Sequence, residues 1–289
     1  MRNVTVAATQ MACSNDLETN LANAEALVRE AAAAGAQVIL LQELFEGPYF
    51  CIDQDASYNE RAHALENHPW LPRFQALAAE LAVVLPVSFF ERAGQTQFNS
   101  VAVIDADGSV LGTYRKMHIP DGPGYTEKFY FSPGDKGFPV WQTRYAKIGV
   151  AICWDQWFPE AARCLALNGA ELLFYPTAIG SEPHDAGIQS ADHWQICQRG
   201  HAAANLMPLV ASNRVGTEWG KHWSDTFHGR SFIAGAEGEL VAEAGAVSRA
   251  VLTATFELDA LAAKRRAWGV FRDRRPEHYR AICTLDGRG

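Results

Sequence analysis

Apolar residues in the first part of the chain follow a strand pattern, then a helix pattern, then a strand pattern again. Residues 4–11 alternate well enough for a strand, and residues 38–41 form a short apolar run. Between them, apolar side chains at 17, 21, 24, 28 and 31 share one face of a helix that Asn15 or Asp16 can cap. This order predicts a parallel pair of strands joined by a right-handed crossover.

The pattern continues with a loop, a second helix and a hairpin. Residues 45–67 are irregular, residues 70–81 are periodic as in a helix, and residues 83–90 are apolar as in a strand. Residues 100–104 and 110–114 flank an Asp-Ala-Asp-Gly turn, which predicts an antiparallel hairpin.

The second part of the chain repeats this order of strand, helix, strand, helix, strand and hairpin. The repeat is predicted at residues 147–152, 159–168, 172–175, 192–205, 209–212 and 231–242. Such a duplication predicts an α/β fold in which two similar sheets, related by a pseudo-two-fold axis, pack face to face with the helices outside. A last strand over 250–256 and a helix over 258–268 lead into a tail, so we expect one domain over 1–268 and a tail over 269–289 at a subunit interface.

Composition and charge narrow the range of partners. The 289 residues are 48% hydrophobic and 20% charged, with a net charge of −8. An acidic chain is a poor match for nucleic acid or an anionic membrane, both of which need a concentrated basic surface. The N-terminal run is too short and polar for a secretory signal, no window is long enough to span a membrane, and the six scattered cysteines form no CxxC pair. We therefore expect a cytoplasmic protein in a reducing compartment.

Three reactive side chains come directly after predicted strands. Cys153 ends the strand over 147–152, and Pro159 opens a helix a few residues later. A sharp turn from strand to helix lifts a nucleophile out of a sheet and leaves backbone N–H groups beside it for an oxyanion. Cys153 is therefore a candidate nucleophile, although most cysteines are small buried hydrophobes.

Glu43 and Lys116 are the candidate partners of this thiol. A carboxylate in a partly dry pocket is a base for the thiol, and a lysine ammonium stabilises an oxyanion or a thiolate. Taken singly, each of them can also be a solvated residue at the rim of the sheet. The carboxyl ends of the strands are where open α/β sheets place their sites.

Segments 41–45, 114–120 and 152–155 resemble the three signature segments of the nitrilase superfamily, the carbon–nitrogen hydrolases. The resemblance runs from residue 4 to about residue 271. It implies a four-layer α-β-β-α sandwich, homo-oligomers formed through a shared helical face, and neither a metal nor an organic cofactor.

The same resemblance implies roles for individual residues. Glu43 is the general base, Lys116 stabilises the tetrahedral intermediate, and Cys153 is the nucleophile. The backbone N–H of Trp154 helps to line the oxyanion hole. Glu127, which is the only glutamate between Lys116 and Cys153, matches a second glutamate that orients the lysine and the base.

Within the superfamily, segments 116–135 and 177–185 resemble the branch that hydrolyses N-carbamoylputrescine to putrescine, ammonia and carbon dioxide. The substrate is a small cationic ureido compound, and its ammonium requires an acid in the pocket. Glu182 is the first choice for this acid and Asp185 the second. A ureido acid would instead require an arginine, and segment 177–185 has none.

Tyr49, Tyr125 and Phe131 have two open interpretations, since they can line the aliphatic arm of the substrate or simply pack the loops. The long segment over 118–137 that carries two of them is predicted to be a functional loop.

Two further features have a structural and a functional interpretation. His193, Cys197 and His201 have a spacing that can hold a metal on one helix face, but packing or a subunit contact is favoured. The aromatic loop over 219–223 can lie at the rim of the pocket.

Two alternatives to this function remain at this point. One is another amidase, a ureidopropionase or a nitrilase of the same superfamily. The other is a non-catalytic binding or scaffold protein that keeps the sandwich, and unusual reactivity of Cys153 would argue against it.

Overall fold

The computed structural model describes residues 1–288. The first half of the chain contains the following helices and strands: β1 (Asn3–Gln10), α1 (Leu17–Ala33), β2 (Val38–Leu40), α2 (Leu71–Leu81), β3 (Leu85–Ala93), β4 (Thr96–Ile104) and β5 (Val110–Arg115). The second half contains β6 (Val140–Gln142), β7 (Lys147–Val150), α3 (Pro159–Leu167), β8 (Leu172–Pro176), α4 (Ser190–Asn205), β9 (Leu209–Ser212), β10 (Val215–Trp219), β11 (Ser224–His228), β12 (Phe232–Ala234) and β13 (Leu240–Glu243). The chain continues through β14 (Ala250–Glu257) and α5 (Leu258–Trp268).

Local signals fix where several helices begin and end. The side chain of Asp16 accepts a hydrogen bond from the Thr19 backbone N–H at 2.7 Å and so caps α1. Pro159 starts α3 at a position where its missing N–H costs nothing. Gly269, at φ +79°, ends α5 in the left-handed conformation that glycine tolerates best.

The predicted duplication is present in the order of the strands. The second-half sheet runs β13-β12-β9-β8-β7-β6. In the first half, β3-β4-β5 continues β14-β1-β2 through a parallel bridge between Val38 and Val84, so its order is β14-β1-β2-β3-β4-β5. Each layer therefore has an antiparallel outer strand (β14 or β6), a run of parallel strands, and an antiparallel hairpin pair at the far edge.

Alternate residues of the buried strands serve two different cores. Val4, Val6 and Ala8 of β1 lie between the two sheets, together with residues of β7, β8 and β9. Ala7 points the other way and packs under α1 and α2 with Phe74. The period of two along a strand therefore places helices outside and sheets inside, which is the predicted α-β-β-α order.

Polar groups also join the two sheets. The Thr9 backbone N–H donates to Ser212 Oγ at 3.0 Å, and that hydroxyl donates to the Leu40 carbonyl at 3.0 Å. Thr9 and Leu40 lie at the carboxyl ends of β1 and β2, and Ser212 ends β9. The carboxyl ends of strands from both sheets are thereby held together.

The hairpin of β10 and β11 is the main element that sequence analysis missed. It lies between β9 and β12, where the first half has only the turn between β3 and β4, so it breaks the duplication. Its strands carry many polar residues and a glycine and are half-exposed, which weakens the apolar signal. The short strand β6 was also missed. The aromatic loop over 219–223 is the turn of this hairpin.

Within residues 1–288, no helix combines the length and the apolar character needed to cross a membrane. All six cysteines of the chain are free thiols.

Candidate active site

Glu43, Lys116 and Cys153 follow β2, β5 and β7, and the structure brings their side chains into one buried cluster. Lys116 Nζ donates to Glu43 Oε1 at 2.8 Å. Both side chains are completely buried, and Cys153 is 5% exposed. The interpretation of Glu43 and Lys116 as solvated rim residues is therefore wrong, because neither side chain contacts solvent.

Glu127 joins this cluster from the long segment between β5 and β6. Lys116 Nζ donates to its Oε1 at 2.8 Å and to its Oε2 at 2.7 Å. The Tyr49 hydroxyl also donates to Glu127 Oε1, at 2.7 Å. The ammonium of Lys116 is thus held between two carboxylates, and one of these carboxylates is held in turn by a buried phenol.

The two oxygens of Glu43 have different surroundings. Oε1 accepts from Lys116 and from Asn99 Nδ2, the latter at 2.7 Å. Oε2 is buried, and no partner within residues 1–288 hydrogen-bonds to it. This leaves one carboxylate oxygen available to accept a proton or to bind a reactant. Asn99 was missed, because the strand was predicted only over 100–104 and nothing in the sequence separates this amide from that of the neighbouring Gln97.

Cys153 has an unusual backbone conformation at the predicted strand-to-helix turn. Its φ is +39°, in the left-handed region, and it begins a short 3₁₀ turn over Cys153–Trp157 that leads into α3. Its Sγ lies 3.9 Å from the Ala178 carbonyl oxygen. Trp154 follows directly, so its backbone N–H is adjacent to the thiol in the chain.

Asp155 ties this turn to the end of β5. Its Oδ2 accepts from the Ile152 backbone N–H at 2.9 Å and from the Tyr114 hydroxyl at 2.7 Å. Its Oδ1 accepts from the His118 backbone N–H at 2.9 Å. Because Tyr114 and His118 flank Lys116, this completely buried carboxylate fixes the cysteine turn relative to the lysine.

Burial and nearby charges set the protonation of the cluster. Burial and the Glu43 carboxylate raise the pKa of the Cys153 thiol well above its ordinary value, against the opposing effect of Lys116. Burial alone lowers the pKa of Lys116, but Glu127 and Glu43 outweigh it and hold that pKa well above its ordinary value. Burial, with help from Glu43, raises the pKa of Glu127 to about 7 despite the neighbouring ammonium. The resting cluster therefore has a neutral thiol and a charged lysine.

The aromatic residues mostly pack the loops around this cluster. Phe131 and Tyr49 are buried in an aromatic cluster with Phe50 and Phe90. The Tyr125 hydroxyl accepts from the Gly180 N–H at 3.0 Å and donates to the Ser181 carbonyl at 3.0 Å. These contacts favour the packing interpretation for Phe131 and give Tyr49 and Tyr125 polar contacts around the site.

The two candidate acids of segment 177–185 lie in different surroundings. Glu182 is half-buried and lines a groove of about 580 Å³ with Trp223 and His228. Asp185 is exposed and accepts from the Gly187 backbone N–H at 2.8 Å, and it does not line this groove. The aromatic loop of the β10–β11 hairpin, through Trp223, thus lines the same groove as Glu182.

Asp225 is a buried acid beside this groove that sequence analysis missed. Its Oδ1 accepts from Ser181 Oγ at 2.9 Å, and Oδ2 has no partner among the described residues. Burial raises the pKa of Asp225 to about 7, although the neighbouring Tyr125 and Ser181 hydroxyls oppose this rise. No sequence signal separates it from a surface acid, because β11 was not recognised as a strand.

The histidine and cysteine face of α4 makes packing contacts. His201 Nε2 lies 2.7 Å from the Gln156 carbonyl oxygen, and Cys197 Sγ lies 3.3 Å from the same oxygen. The ring of His193 packs against Trp157 with 4.6 Å between the ring centroids. Over residues 1–288, no group of three or more potential ligands could hold a metal ion.

A four-layer sandwich with a buried glutamate, lysine and cysteine at the ends of its strands is the arrangement that the signature segments predict. A model of the carbon–nitrogen hydrolase family matches residues 5–266. The chain belongs to this family, and it is an enzyme that hydrolyses carbon–nitrogen bonds.

Individual relatives are similar over nearly their whole length. The chain is 62% identical to an N-carbamoylputrescine amidase of Arabidopsis thaliana, over 99% of this chain and 97% of that protein. It is 51% identical to a citrullinase of Francisella tularensis, over 98% and 99% of the two chains. The crystal structure of a carbon–nitrogen hydrolase from Helicobacter pylori superposes with a TM-score of 0.92 at 39% identity, over 98% of this chain and 99% of that one.

The protonation of Asp225 predicts a pH-dependent stability. The folded protein keeps a proton up to about pH 7 that the unfolded chain releases near the ordinary pKa of 3.8. The stabilisation is complete below about pH 4 and is lost as the pH rises to 7, at no more than about 1.4 kcal/mol per pH unit. Asp225→Asn keeps an acceptor for Ser181 and removes this loss. Urea unfolding at pH 4.5 to 7.5 should therefore show the wild type losing stability relative to the variant.

Asp107→Asn, at an exposed turn, is the control for this measurement. Ser109 lowers the pKa of Asp107, so this carboxyl is ionised in both the folded and the unfolded chain above about pH 5. The difference in the free energy of unfolding between this variant and wild type should therefore stay constant above that pH. Equal pH slopes for wild type and Asp225→Asn would contradict the assignment.

Proposed function

We propose that this enzyme hydrolyses N-carbamoylputrescine to putrescine, ammonia and carbon dioxide, with Cys153 as nucleophile, Glu43 as general base and acid, and Lys116 as the stabilising cation. The observation that carries the proposal is the contact of Lys116 with both Glu43 and Glu127 beside the Cys153 turn. This cluster occurs in a chain 62% identical to an amidase that is named for this substrate.

The first step is attack by the thiol on the carbamoyl carbon. Because burial keeps the thiol protonated, the proton must leave as the carbon–sulfur bond forms. The free Oε2 of Glu43 is the acceptor, since Oε1 is already occupied by Lys116 and Asn99. Proton transfer to a positioned carboxylate contributes roughly 10²- to 10⁴-fold in rate.

The carbonyl oxygen becomes negative in this step and is stabilised by Lys116 and by the backbone N–H of Trp154. Lys116 acts as a fixed charge and not as a proton donor, because the two carboxylates hold its pKa high. Glu43 then returns its proton to the departing nitrogen, the carbon–nitrogen bond breaks, and a carbamoyl group remains on the sulfur.

Water completes the reaction. The water oxygen attacks the thiol-bound carbonyl carbon while Glu43 accepts a proton from that water. The carbon–sulfur bond then breaks, and Glu43 returns the proton to the leaving thiolate. The released carbamic acid decomposes to carbon dioxide and the second amine. Glu127 contacts no reacting atom in this scheme; with the Tyr49 hydroxyl, it orients Lys116.

Glu182 is our proposed partner of the substrate ammonium. It lines the groove beside the segment that begins at Ala178, whose carbonyl contacts the Cys153 thiol. Burial raises the pKa of Glu182, so a bound cation would favour its ionised form again. The volume of about 580 Å³ is within the range typical of small-molecule sites.

Citrulline is the second candidate substrate, because the chain is 51% identical to the Francisella tularensis citrullinase. Citrulline has the same ureido group but carries a carboxylate as well as an ammonium. A carboxylate calls for a cation, and segment 177–185 contains no arginine. The diamine derivative is therefore the better match.

We further propose that residues 1–268 are the catalytic domain and that the tail over 269–289 lies at a homo-oligomer interface of a cytoplasmic enzyme. An apolar groove of about 540 Å³ lies between α3, α4 and the tail. Leu167 and Ile282, which line it, are 46% and 64% exposed. Apolar surface of this kind favours contact with a second copy of the chain.

The nucleophile assignment predicts that Cys153→Ala abolishes ammonia release and leaves the fold intact. We would measure ammonia from N-carbamoylputrescine, citrulline, N-carbamoyl-β-alanine and glutamine at equal concentrations, with circular dichroism as the check on folding. Preference for the first substrate, absent in Cys153→Ala, supports the proposal. Preference for another substrate would keep the cysteine and overturn the substrate assignment, and activity in folded Cys153→Ala would overturn the mechanism.

The subsite assignment predicts that Glu182→Gln raises KM for N-carbamoylputrescine by about tenfold or more, since losing a charge-assisted contact costs roughly 1.5–3 kcal/mol. The reaction of Cys153 with iodoacetamide should be unchanged. Glu66→Gln, an exposed substitution of the same type, should leave KM unchanged. A KM effect that follows Asp185→Asn instead would move the subsite to Asp185.

The interface assignment predicts that Ile282→Asp lowers the oligomer mass in sedimentation velocity, because a charge in an apolar contact is costly. Val247→Asp is the matched control, since Val247 is 82% exposed and lies outside both the tail and the groove. Unchanged mass in Ile282→Asp, or equal loss in both variants, would argue against this interface.

A further inference from the structure

A completely buried arginine contacts the backbone that follows β2. Arg214 lies directly before β10, and its side chain has no exposed surface. Its Nη2 donates to the Glu43 carbonyl at 2.9 Å and also to the Leu44 carbonyl. Its Nη1 donates to the Gly47 carbonyl at 3.0 Å. One guanidinium therefore holds three carbonyl groups of the segment that carries Glu43.

This segment needs support because its backbone is strained. Leu44, directly after Glu43, has a φ of +47°, which is uncommon for a residue with a side chain. Its N–H donates to Ser88 Oγ at 3.0 Å, so both its N–H and its carbonyl are held by side chains. Because Leu44 directly follows Glu43 in the chain, its backbone conformation affects the orientation of the Glu43 side chain toward Lys116.

The same arginine is linked to the other carboxylate of the cluster. Glu218 Oε1 accepts from Arg214 Nη1 at 2.9 Å, and Glu218 Oε2 accepts from the Tyr49 backbone N–H. The Tyr49 hydroxyl in turn donates to Glu127 at 2.7 Å. The ion pair of Arg214, directly before β10, with Glu218 on β10 is thus connected to both carboxylates that hold Lys116.

We propose that Arg214 and Glu218 are a positioning pair for the reaction, which fixes Glu43 against Cys153 and fixes Tyr49 and Glu127 against Lys116. Arginine suits this role because its planar fork places several donors at fixed angles, whereas lysine has a single ammonium. The inference rests on the proposed role of Glu43 as the base. The pair belongs to the β10–β11 hairpin, which has no counterpart in the first half of the fold.

The test compares Arg214→Lys and Glu218→Gln with Arg265→Lys. Arg265 also donates to backbone carbonyls, those of Ala170 and Leu206, but on α5 and away from the cluster. We expect kcat to fall about tenfold or more in Arg214→Lys with KM changed less than threefold, because small displacements of catalytic groups cost up to roughly 10²-fold in rate. Arg265→Lys should keep wild-type kcat.

A second readout distinguishes positioning from a loss of stability. The rate of Cys153 alkylation by iodoacetamide, measured on its peptide by mass spectrometry, depends on a base for the buried thiol. In folded Arg214→Lys this rate should fall at pH 7 and should rise more steeply toward high pH than in wild type. The proposal would be overturned if a variant had a lowered melting temperature but kept the wild-type kcat and the wild-type rate of Cys153 alkylation.

Glu218→Gln decides the question if Arg214→Lys does not fold, because it keeps an acceptor for the Tyr49 N–H and removes only the counter-charge of Arg214. The same criteria apply to it. Alkylation requires no substrate, so it tests the positioning pair independently of the proposed function. If the wild type is inactive on N-carbamoylputrescine but its Cys153 is still alkylated faster than in the variants, the proposed substrate is wrong and the positioning pair is retained.

Discussion

The site depends on one charge that is buried between two others. Lys116 has no exposed surface, and its ammonium is stable there only because Glu43 and Glu127 surround it. An unpaired ammonium in this interior would cost several kcal/mol. Burying the lysine therefore requires a carboxylate beside it. The same low-dielectric surroundings make the fixed positive charge effective toward an oxyanion.

The fold supplies this arrangement by bringing strand ends together. Glu43 and Cys153 follow β2 and β7, which lie in different sheets, and Lys116 follows an edge strand of the first sheet. Face-to-face packing of the two sheets places these ends at one location, and the junction between Thr9, Ser212 and Leu40 holds them there. The site therefore belongs to both halves of the duplication.

Buried polar side chains then fix each reactive residue from behind. Asn99 orients Glu43, Asp155 holds the Cys153 turn, and Arg214 holds the backbone after Glu43. Two of the held residues, Leu44 and Cys153, have positive φ angles. Strain of this kind persists where the surrounding contacts determine the backbone, as they do here.

Local patterns in the sequence determined the strands and helices of the duplicated order, because periods of two and 3.6 survive without knowledge of partners. Short motifs that resemble the family's signature segments indicated Glu43, Lys116 and Cys153, and the same resemblance indicated Glu127 by its position between two of them. Only the tertiary structure identified Asn99, Asp155, Arg214 and Asp225, and only it separated Glu182 in a groove from the exposed Asp185. A single polar residue has the same appearance in a sequence whether it faces water or a partner 170 residues away, such as the Leu44 carbonyl that Arg214 binds. Its role is therefore decided by packing between distant segments.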